Sequence, residues 1–347
     1  MPRRSLAALP KAHLHLHFTG SMRHQTVLEL AHDVGLHLPE QLADEWPPEL
    51  SAADEKGWFR FQRLYDIARS VLRTEAGVRR LLLEAAQDDA REGSRWLEIQ
   101  VDPSGYAAHF RGITAFTDLV LDAAAAATQQ TGVAVSVVIA ANRTRHPLDA
   151  RTLARLAAQY AGRGVVGFGL SNDERRGDTM AFAPAFAIAE RAGLLTAPHG
   201  GELCGPQNVW SCLDALGARR IGHGVRSVED PWLMDRLAAS EVTLELCPAS
   251  NVSLGVYQRP ADVPLRQLVD AGISLALGAD DPLLFGSRLL DQYESAREVH
   301  GFSDPELAEL ARMSIRGSAA PTDVRASLLT EVDGWLIAEP PPRPNTR

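Results

Sequence analysis

Several features that would place this chain in other protein classes are absent from it. No run of about 18 apolar residues is available to span a bilayer. No Lys/Arg cluster offsets the formal charge of −9, which argues against a nucleic-acid surface. The three cysteines form neither a disulfide framework nor a CxxC metal motif, and no secretory h-region follows Arg3 and Arg4. We therefore expect a cytoplasmic protein that acts on a small molecule.

The chain also lacks a GxGxxG motif after its first predicted strand, which removes the main indication of a dinucleotide-binding fold. Its composition, 45% hydrophobic and 23% charged, is ordinary for a globular enzyme. A chain of 347 residues could form one large α/β barrel or two ordinary domains. Because no repeat or linker divides it, we predict a single domain over residues 1–338 and a disordered, proline-rich tail over residues 339–347.

Short apolar segments alternate with helical segments along most of the chain. Eight of them have strand character: residues 13–17, 96–102, 133–140, 165–170, 194–198, 220–223, 242–247 and 273–278. This alternation favours a parallel sheet, and eight units favour a closed (β/α)₈ barrel over an open doubly wound sheet. We also expect extra helices between the first two strands and after the last one.

The first predicted strand contains His13-Leu14-His15-Leu16-His17, in which three imidazoles share one face. Unpaired imidazoles are poor core groups, whereas a divalent metal would use their lone pairs. The alternative is a polar strand face held by hydrogen bonds. Because the chemistry of such barrels lies at the C-terminal strand ends, we expect His15 and His17 to reach the site and His13 to be structural.

Polar residues end three other predicted strands. They form the segments His199-Gly200-Gly201-Glu202, His223-Gly224 and Asp280-Asp281-Pro282. Two histidines from one strand, one from another and a carboxylate are a ligand set suited to zinc or a similar ion.

The remaining groups at these strand ends suit hydrolysis. A bound metal lowers the pKa of water towards about 7, which makes hydroxide available at neutral pH. Glu202 is predicted to exchange protons with the substrate, and His223 to orient the hydroxide and stabilise charge. Asp281 is predicted to contact the substrate. Gly200 and Gly201 allow a tight turn that brings Glu202 close to the reacting oxygen.

In this order the motifs resemble those of the adenosine deaminase family of metal-dependent amidohydrolases. The matching segments, spread over most of the chain, are HxH at 15–17, HGGE at 199–202, GHG at 222–224, CPxSN at 247–251 and DDP at 280–282. The resemblance implies an amidohydrolase-like (β/α)₈ barrel in which His15, His17, His199 and Asp280 hold one zinc ion.

The resemblance also implies a reaction and a role for three further residues. Glu202 corresponds to the residue that protonates purine N1, His223 to the one that positions the attacking hydroxide, and Asp281 to the partner of N7. Hydroxide would add to C6 of an adenine ring, and ammonia would leave.

Two positions depart from the pattern of the family. Thr19 stands where adenosine deaminases have an Asp that accepts the ribose 5′-hydroxyl, a charge-assisted bond worth about 1.5–3 kcal/mol. Asn172 stands where the family usually has a Gly that contributes to N3 recognition. We expect both residues at the substrate. Either a water fills the gap at Thr19, or the substrate has no free 5′-hydroxyl.

The second explanation resembles a branch of the family that deaminates 6-aminodeoxyfutalosine, an adenine nucleoside extended at its 5′ carbon in menaquinone biosynthesis. That substrate carries an aryl carboxylate, and the segment 58–63 supplies aromatic and Arg side chains, with Phe61 as a predicted contact. The alternative is adenosine or deoxyadenosine, used in purine salvage. Free adenine is less expected, because the adenine branch typically has Glu at the position of Thr19.

Other classes fit less well. A cytidine-deaminase-type fold would need an HxE motif with a downstream PCxxC. A phosphotriesterase-like enzyme would need a Lys to bridge two metals, and the fourth strand end, Leu170-Ser171-Asn172, offers none. A metal-free binding protein would be expected to have a broken site, whereas every expected residue is present. The sequence leaves open the oligomeric state and the choice among divalent transition metals.

Overall fold

A computed structural model describes residues 3–338 of the chain. Eight parallel strands are hydrogen-bonded to one another in their order along the chain. They are β1 (Lys11–His17), β2 (Ser94–Val101), β3 (Ala134–Asn142), β4 (Val165–Ser171), β5 (Leu195–Gly200), β6 (Arg220–His223), β7 (Thr243–Leu246) and β8 (Ser274–Leu277). Neighbouring strands that run in parallel need a crossover between them, which helices supply here.

The helices surround the sheet. They are α1 (His24–Asp33), α2 (Glu40–Ala43), α3 (Glu55–Ser70), α4 (Glu75–Glu92), α5 (Ile113–Thr131), α6 (Pro147–Gln159), α7 (Ala183–Arg191), α8 (Pro206–Leu216), α9 (Pro231–Ala238), α10 (Pro248–Ser253), α11 (Leu265–Asp270), α12 (Pro282–Phe285), α13 (Leu289–Glu298), α14 (Asp304–Gly317) and α15 (Thr322–Ile337). The predicted (β/α)₈ barrel is confirmed, including the extra helices after β1 and β8. Across residues 3–338, none of these helices combines the length and apolar character that a membrane crossing requires.

Local sequence explains where the two long helices before β2 begin. The Asp54 carboxylate accepts a hydrogen bond from Gly57 N–H at the start of α3, and the Thr74 hydroxyl accepts one from Gly77 N–H at the start of α4. Helix α4 ends at Gly93, whose φ of 89° places it in the left-handed region. The Asp54 cap sets the start of α3, whose residues line the cavity at the C-terminal end of the barrel.

The β8–β1 seam closes the barrel through few backbone contacts. His17 N–H donates to the Asp280 carbonyl at 2.9 Å, and Asp280 N–H donates to the His15 carbonyl at 3.0 Å. Leu16 and Asp280 form an isolated parallel bridge. Asp280, just past β8, is therefore held by the backbone of the strand that carries His15 and His17.

The C-terminal region differs from its prediction in one element. Helix α15 was not predicted, because its apolar residues are spread over more than one face and produce no single stripe. Packing nevertheless buries Leu328, Val332 and Trp335. The tail predicted over residues 339–347 lies outside the described residues.

Candidate active site

Four side chains from three parts of the barrel meet at its C-terminal end. His17 Nε2 lies 3.3 Å from His199 Nε2 and 3.2 Å from Asp280 Oδ1. His15 Nε2 lies 3.6 Å from the same Asp280 oxygen. One ring nitrogen from each of the three histidines lies within 4.8 Å of the others. The structure thus brings together the four residues predicted as metal ligands.

The chemistry of this cluster fits a divalent metal. The His15 ring directs Nδ1 at Glu245 Oε2, 2.8 Å away, which leaves Nε2 to face the cluster. That buried Nε2 has no hydrogen-bond partner among residues 3–338. Burial and the neighbouring imidazoles hold the pKa of His199 well below its usual range, so this ring offers a lone pair. Three imidazoles with one carboxylate are a zinc-type ligand set.

His13 lies apart from the cluster. Its Nδ1 is 3.0 Å from Asp89 Oδ1, and its Nε2 accepts a hydrogen bond from Ala279 N–H at 3.1 Å. Both ring nitrogens have partners inside the protein, and the side chain is fully buried. This is the structural role predicted for His13.

Glu202 and His223 lie beside the ligand cluster. His223 Nε2 is 3.6 Å from Glu202 Oε2 and 3.9 Å from Asp280 Oδ2. Burial, and then the nearby carboxylates of Asp280 and Glu174, raise the pKa of Glu202 well above its usual range. Burial lowers the pKa of His223 to about 3. The shift at Glu202 favours its protonated form and the shift at His223 favours the neutral imidazole, so the two side chains are suited to proton exchange.

Glu174 holds the turn that carries Glu202. Its buried carboxylate accepts hydrogen bonds from the backbone N–H groups of the four residues 201–204. Gly201 has a φ of 71°, and a Cβ atom there would lie 2.4 Å from Val209, so the turn requires glycine. Sequence reasoning missed Glu174, because no periodic pattern relates it to a turn about 30 residues away.

Left-handed backbone marks three non-glycine residues of the site: φ is 83° at Asn172, 65° at His223 and 62° at Asp280. Such conformations cost on the order of 1–3 kcal/mol each and persist where the surroundings enforce them. Asn adopts this region more readily than most residues. Asn172 therefore suits the left-handed conformation of this turn.

A cavity, here called the active-site cavity, opens beside the ligand cluster and is covered by α3. Trp58, Phe61, Tyr65 and Arg69 of that helix line it, and the Trp58 and Phe61 rings are 5.0 Å apart. Phe59 faces outward and is 68% exposed. Phe61 thus lies where a substrate contact was predicted, and the contact itself stays a prediction.

Asn172 lines the same cavity, but its side-chain groups already have partners. Its Nδ2 donates to Gln62 Oε1 at 3.0 Å, and its Oδ1 accepts from Asp173 N–H at 2.7 Å. The side-chain amide is therefore occupied within the protein, and a contact between Asn172 and a substrate stays a prediction.

Thr19 lies behind the cavity surface. It is fully buried, and its hydroxyl is hydrogen-bonded to the hydroxyl of Tyr106. Tyr65 and Tyr106 line the cavity in front of it. A direct contact between Thr19 and a substrate stays a prediction, and the two tyrosines are the groups that a substrate would meet first.

Asp281 lines the cavity. Its Oδ1 is buried and has no hydrogen-bond partner within the described chain. Burial raises its pKa to about 7. A Cβ atom on Gly20 would lie 1.8 Å from that oxygen, so the absence of a side chain at position 20 makes room for it.

Residues 10–335 match the sequence model of the family described as adenosine deaminase. The chain belongs to the adenosine deaminase family. A putative adenosine/adenine deaminase from Streptomyces virginiae is 64% identical over 96% of this chain and 98% of its own length. An aminodeoxyfutalosine deaminase from Streptomyces coelicolor is 34% identical over 96% of this chain and 86% of its own.

Solved structures agree with this assignment. The crystal structure of an adenine deaminase from Arthrobacter aurescens matches with a TM-score of 0.88 and 32% identity, covering 95% of this chain and 100% of that chain. The predicted family, fold and enzyme class are confirmed: the protein is a hydrolytic deaminase of a metal-dependent family.

Proposed function

We propose that this enzyme replaces the 6-amino group of an adenine nucleoside with oxygen and releases ammonia. The observation that carries the proposal is the meeting of three histidines and Asp280 with the side chains of Glu202 and His223 at one cavity. We further propose one zinc ion as the cofactor, held by His15, His17, His199 and Asp280.

The chain's own groups divide the chemistry among them. Zinc, when bound, would lower the pKa of water and so supply a nucleophile near neutral pH. Glu202 holds a proton that it can donate to N1 as C6 becomes tetrahedral. His223 accepts a hydrogen bond from the attacking oxygen and orients it. Asp281 binds N7, and the Glu245 carboxylate fixes the ring of His15.

Among adenine nucleosides we propose one that is extended at the 5′ position, such as 6-aminodeoxyfutalosine. Position 19 supplies no carboxylate for a 5′-hydroxyl, because the buried Thr19 is bonded to Tyr106, which lines the cavity. Arg69 lines the cavity and bonds Asp66, and its side chain is 24% exposed, so it remains able to meet a carboxylate. The aminodeoxyfutalosine deaminase from Streptomyces coelicolor also aligns over most of this chain.

Adenosine or adenine is the second candidate. The 64% identical relative is described as a putative adenosine/adenine deaminase, and the solved enzyme from Arthrobacter aurescens is an adenine deaminase. Both relatives share the fold and the family of this chain, and this supports adenosine or adenine as a substrate.

A kinetic panel tests these proposals. The zinc-loaded enzyme is assayed for ammonia release from adenine, adenosine, 5′-methylthioadenosine and 6-aminodeoxyfutalosine. We expect the highest kcat/KM for the last compound. A higher value for adenosine or adenine would replace the finer proposal, and full zinc occupancy without turnover of any compound would favour a binding protein instead.

Substitution of Arg69 tests whether this residue binds the carboxylate of 6-aminodeoxyfutalosine. Arg69→Met should lower kcat/KM for 6-aminodeoxyfutalosine by about tenfold or more, the value of a charge-assisted bond, and should leave adenosine turnover nearly unchanged. The matched control is Arg63→Met, because Arg63 is an exposed residue of the same helix. Equal losses for both substrates would remove Arg69 from recognition of the 5′ group.

A further inference from the structure

Gln100 presents an unpaired amide to the active-site cavity. It lies one residue before the end of β2, is 1% exposed, and lines the cavity. Neither its Nε2 nor its Oε1 has a hydrogen-bond partner in the part of the chain that the structure describes. Buried amides are almost always paired, so an unpaired one beside a cavity points to a ligand. The proposed reaction leaves this amide without a role.

The strands next to Gln100 carry small residues at this level. Ala140 of β3 lines the same cavity, and Gly169 of β4 has no side chain. A Cβ atom on Gly169 would lie 3.7 Å from Gln100 Oε1 and 3.6 Å from the Ala140 Cβ. These neighbours leave room beside the amide for the edge of a flat ring.

The order of the strands indicates which edge this is, given the proposed function on which the inference rests. Glu202 follows β5 and would meet N1, whereas Asp281 follows β8 and would meet N7. The opposite edge of the purine, N3 and N9, then faces the strands across the barrel from β5 to β8, which are β2 to β4. Gln100 lies on β2, and its register partner on β1 is His17, so the amide is level with the ligand cluster.

We infer that Gln100 is a specificity-determining residue that binds the N3/N9 edge of the adenine ring. Its Nε2 donates a hydrogen bond to N3, which is an acceptor in both the free base and the nucleoside. Gln100 takes the place of the Asn172 side chain in the expected N3 contact, because that side chain is already bonded to Gln62 and Asp173. Its Oε1 accepts a second hydrogen bond, from N9–H in a free base or from the 2′-hydroxyl in a nucleoside. The same amide thus recognises the ring and meets the position that distinguishes the two substrate classes.

The test pairs a change in the ligand with a change in the protein. Competitive inhibition constants are measured for the product inosine and for 3-deazainosine, in which carbon replaces N3, so that ring reactivity does not enter. In the wild type the replacement should weaken inhibition about fivefold or more, as expected for one lost hydrogen bond. In Gln100→Leu the same replacement should change inhibition by less than about twofold.

A second pair of ligands, hypoxanthine and 3-deazahypoxanthine, separates the two sources of the Oε1 contact. If N9–H donates the hydrogen bond to Oε1, Gln100→Leu should weaken binding of hypoxanthine more than binding of inosine. If the 2′-hydroxyl donates it, the variant should weaken binding of inosine more. Gln100→Glu, which nearly conserves shape and removes the donor, serves if the Leu variant does not fold. Gln100→Glu should also abolish the tighter binding of inosine relative to 3-deazainosine.

The matched control is Gln62→Leu. Gln62 lines the same cavity, but its amide is already bonded to Asp66 and Asn172, so the effect of replacing N3 should persist in this variant. An N3 effect that is equally large in the wild type and in both Gln100 variants would overturn the inference. A wild-type enzyme that deaminates none of the panel compounds would instead contradict the proposed function.

Discussion

At the scale of the residue, the environment of Glu202 defines its chemistry. Burial and two nearby carboxylates favour its protonated form. Glu202→Gln keeps the shape and removes the transferable proton, so kcat should fall by about 10²–10⁴-fold. The zinc content should stay at that of the wild type. The measurements are steady-state kinetics and metal analysis, with the exposed Glu75→Gln as control, and near-normal turnover would remove Glu202 from the acid–base role.

Gly20 matters through the side chain that it lacks. Any Cβ atom there would overlap Asp281 Oδ1, at 1.8 Å, so Gly20→Ala should displace this carboxyl from the cavity. A misplacement of this kind can cost about 10²-fold in rate, and we expect a loss of that size in kcat/KM with zinc retained. Gly334→Ala is the control, because a Cβ atom there meets no atom within 4 Å. Unchanged kinetics for Gly20→Ala would show that Asp281 tolerates displacement.

At the scale of the element, the segment 201–204 is a turn whose four N–H groups converge on one carboxylate, that of Glu174. Glu174→Gln replaces one acceptor oxygen with an NH₂ group that faces backbone donors. Because bonds to a charged acceptor are worth about 1.5–3 kcal/mol, the turn should loosen and Glu202 should lose its position.

The expected result for Glu174→Gln is a kcat at least about tenfold lower, by the same estimate, with little change in inosine inhibition. The exposed Glu190→Gln is the matched control. A variant that lost thermal stability and kept its kcat would show that Glu174 stabilises the fold without positioning Glu202.

At the scale of the whole molecule, the proposed ligands tie together β1, β5 and β8. The β8–β1 seam depends on two backbone hydrogen bonds around Asp280 and an isolated bridge, so a metal there would also help close the barrel. A ligand at a thousand times its Kd stabilises the folded state by about 4 kcal/mol. Removing the metal with a chelator should therefore lower Tm by several degrees and speed hydrogen exchange in β1 and β8.

Asp280→Ala controls for the chelator itself. This variant should be purified without stoichiometric zinc and show no further fall in Tm on chelation. Full zinc retention by Asp280→Ala would remove Asp280 from the ligand set, whereas an unchanged Tm after complete metal removal from the wild type would separate metal binding from closure of the barrel.

The sequence by itself determined the alternation of strands and helices, and with it the barrel. It also determined which residue types gather at one end, because parallel strands present their C-terminal ends on one edge. The histidines and carboxylates that follow the first, fifth, sixth and eighth strands could be grouped from strand ends alone, and the family resemblance selected the four ligands among them. The family of the chain was predicted from its motifs, and the family model and the relatives confirm it.

Only the tertiary structure decided how side chains from distant positions meet. The Thr19 hydroxyl is bonded to Tyr106, and the Glu174 carboxylate binds the turn that carries Glu202. The Gln100 amide remains unpaired beside the cavity among the described residues. Such contacts depend on side-chain orientation and on packing between segments far apart in the chain. The periodicity of a sequence predicts which face of a helix or strand is buried. It does not predict which residues of another element contact that face.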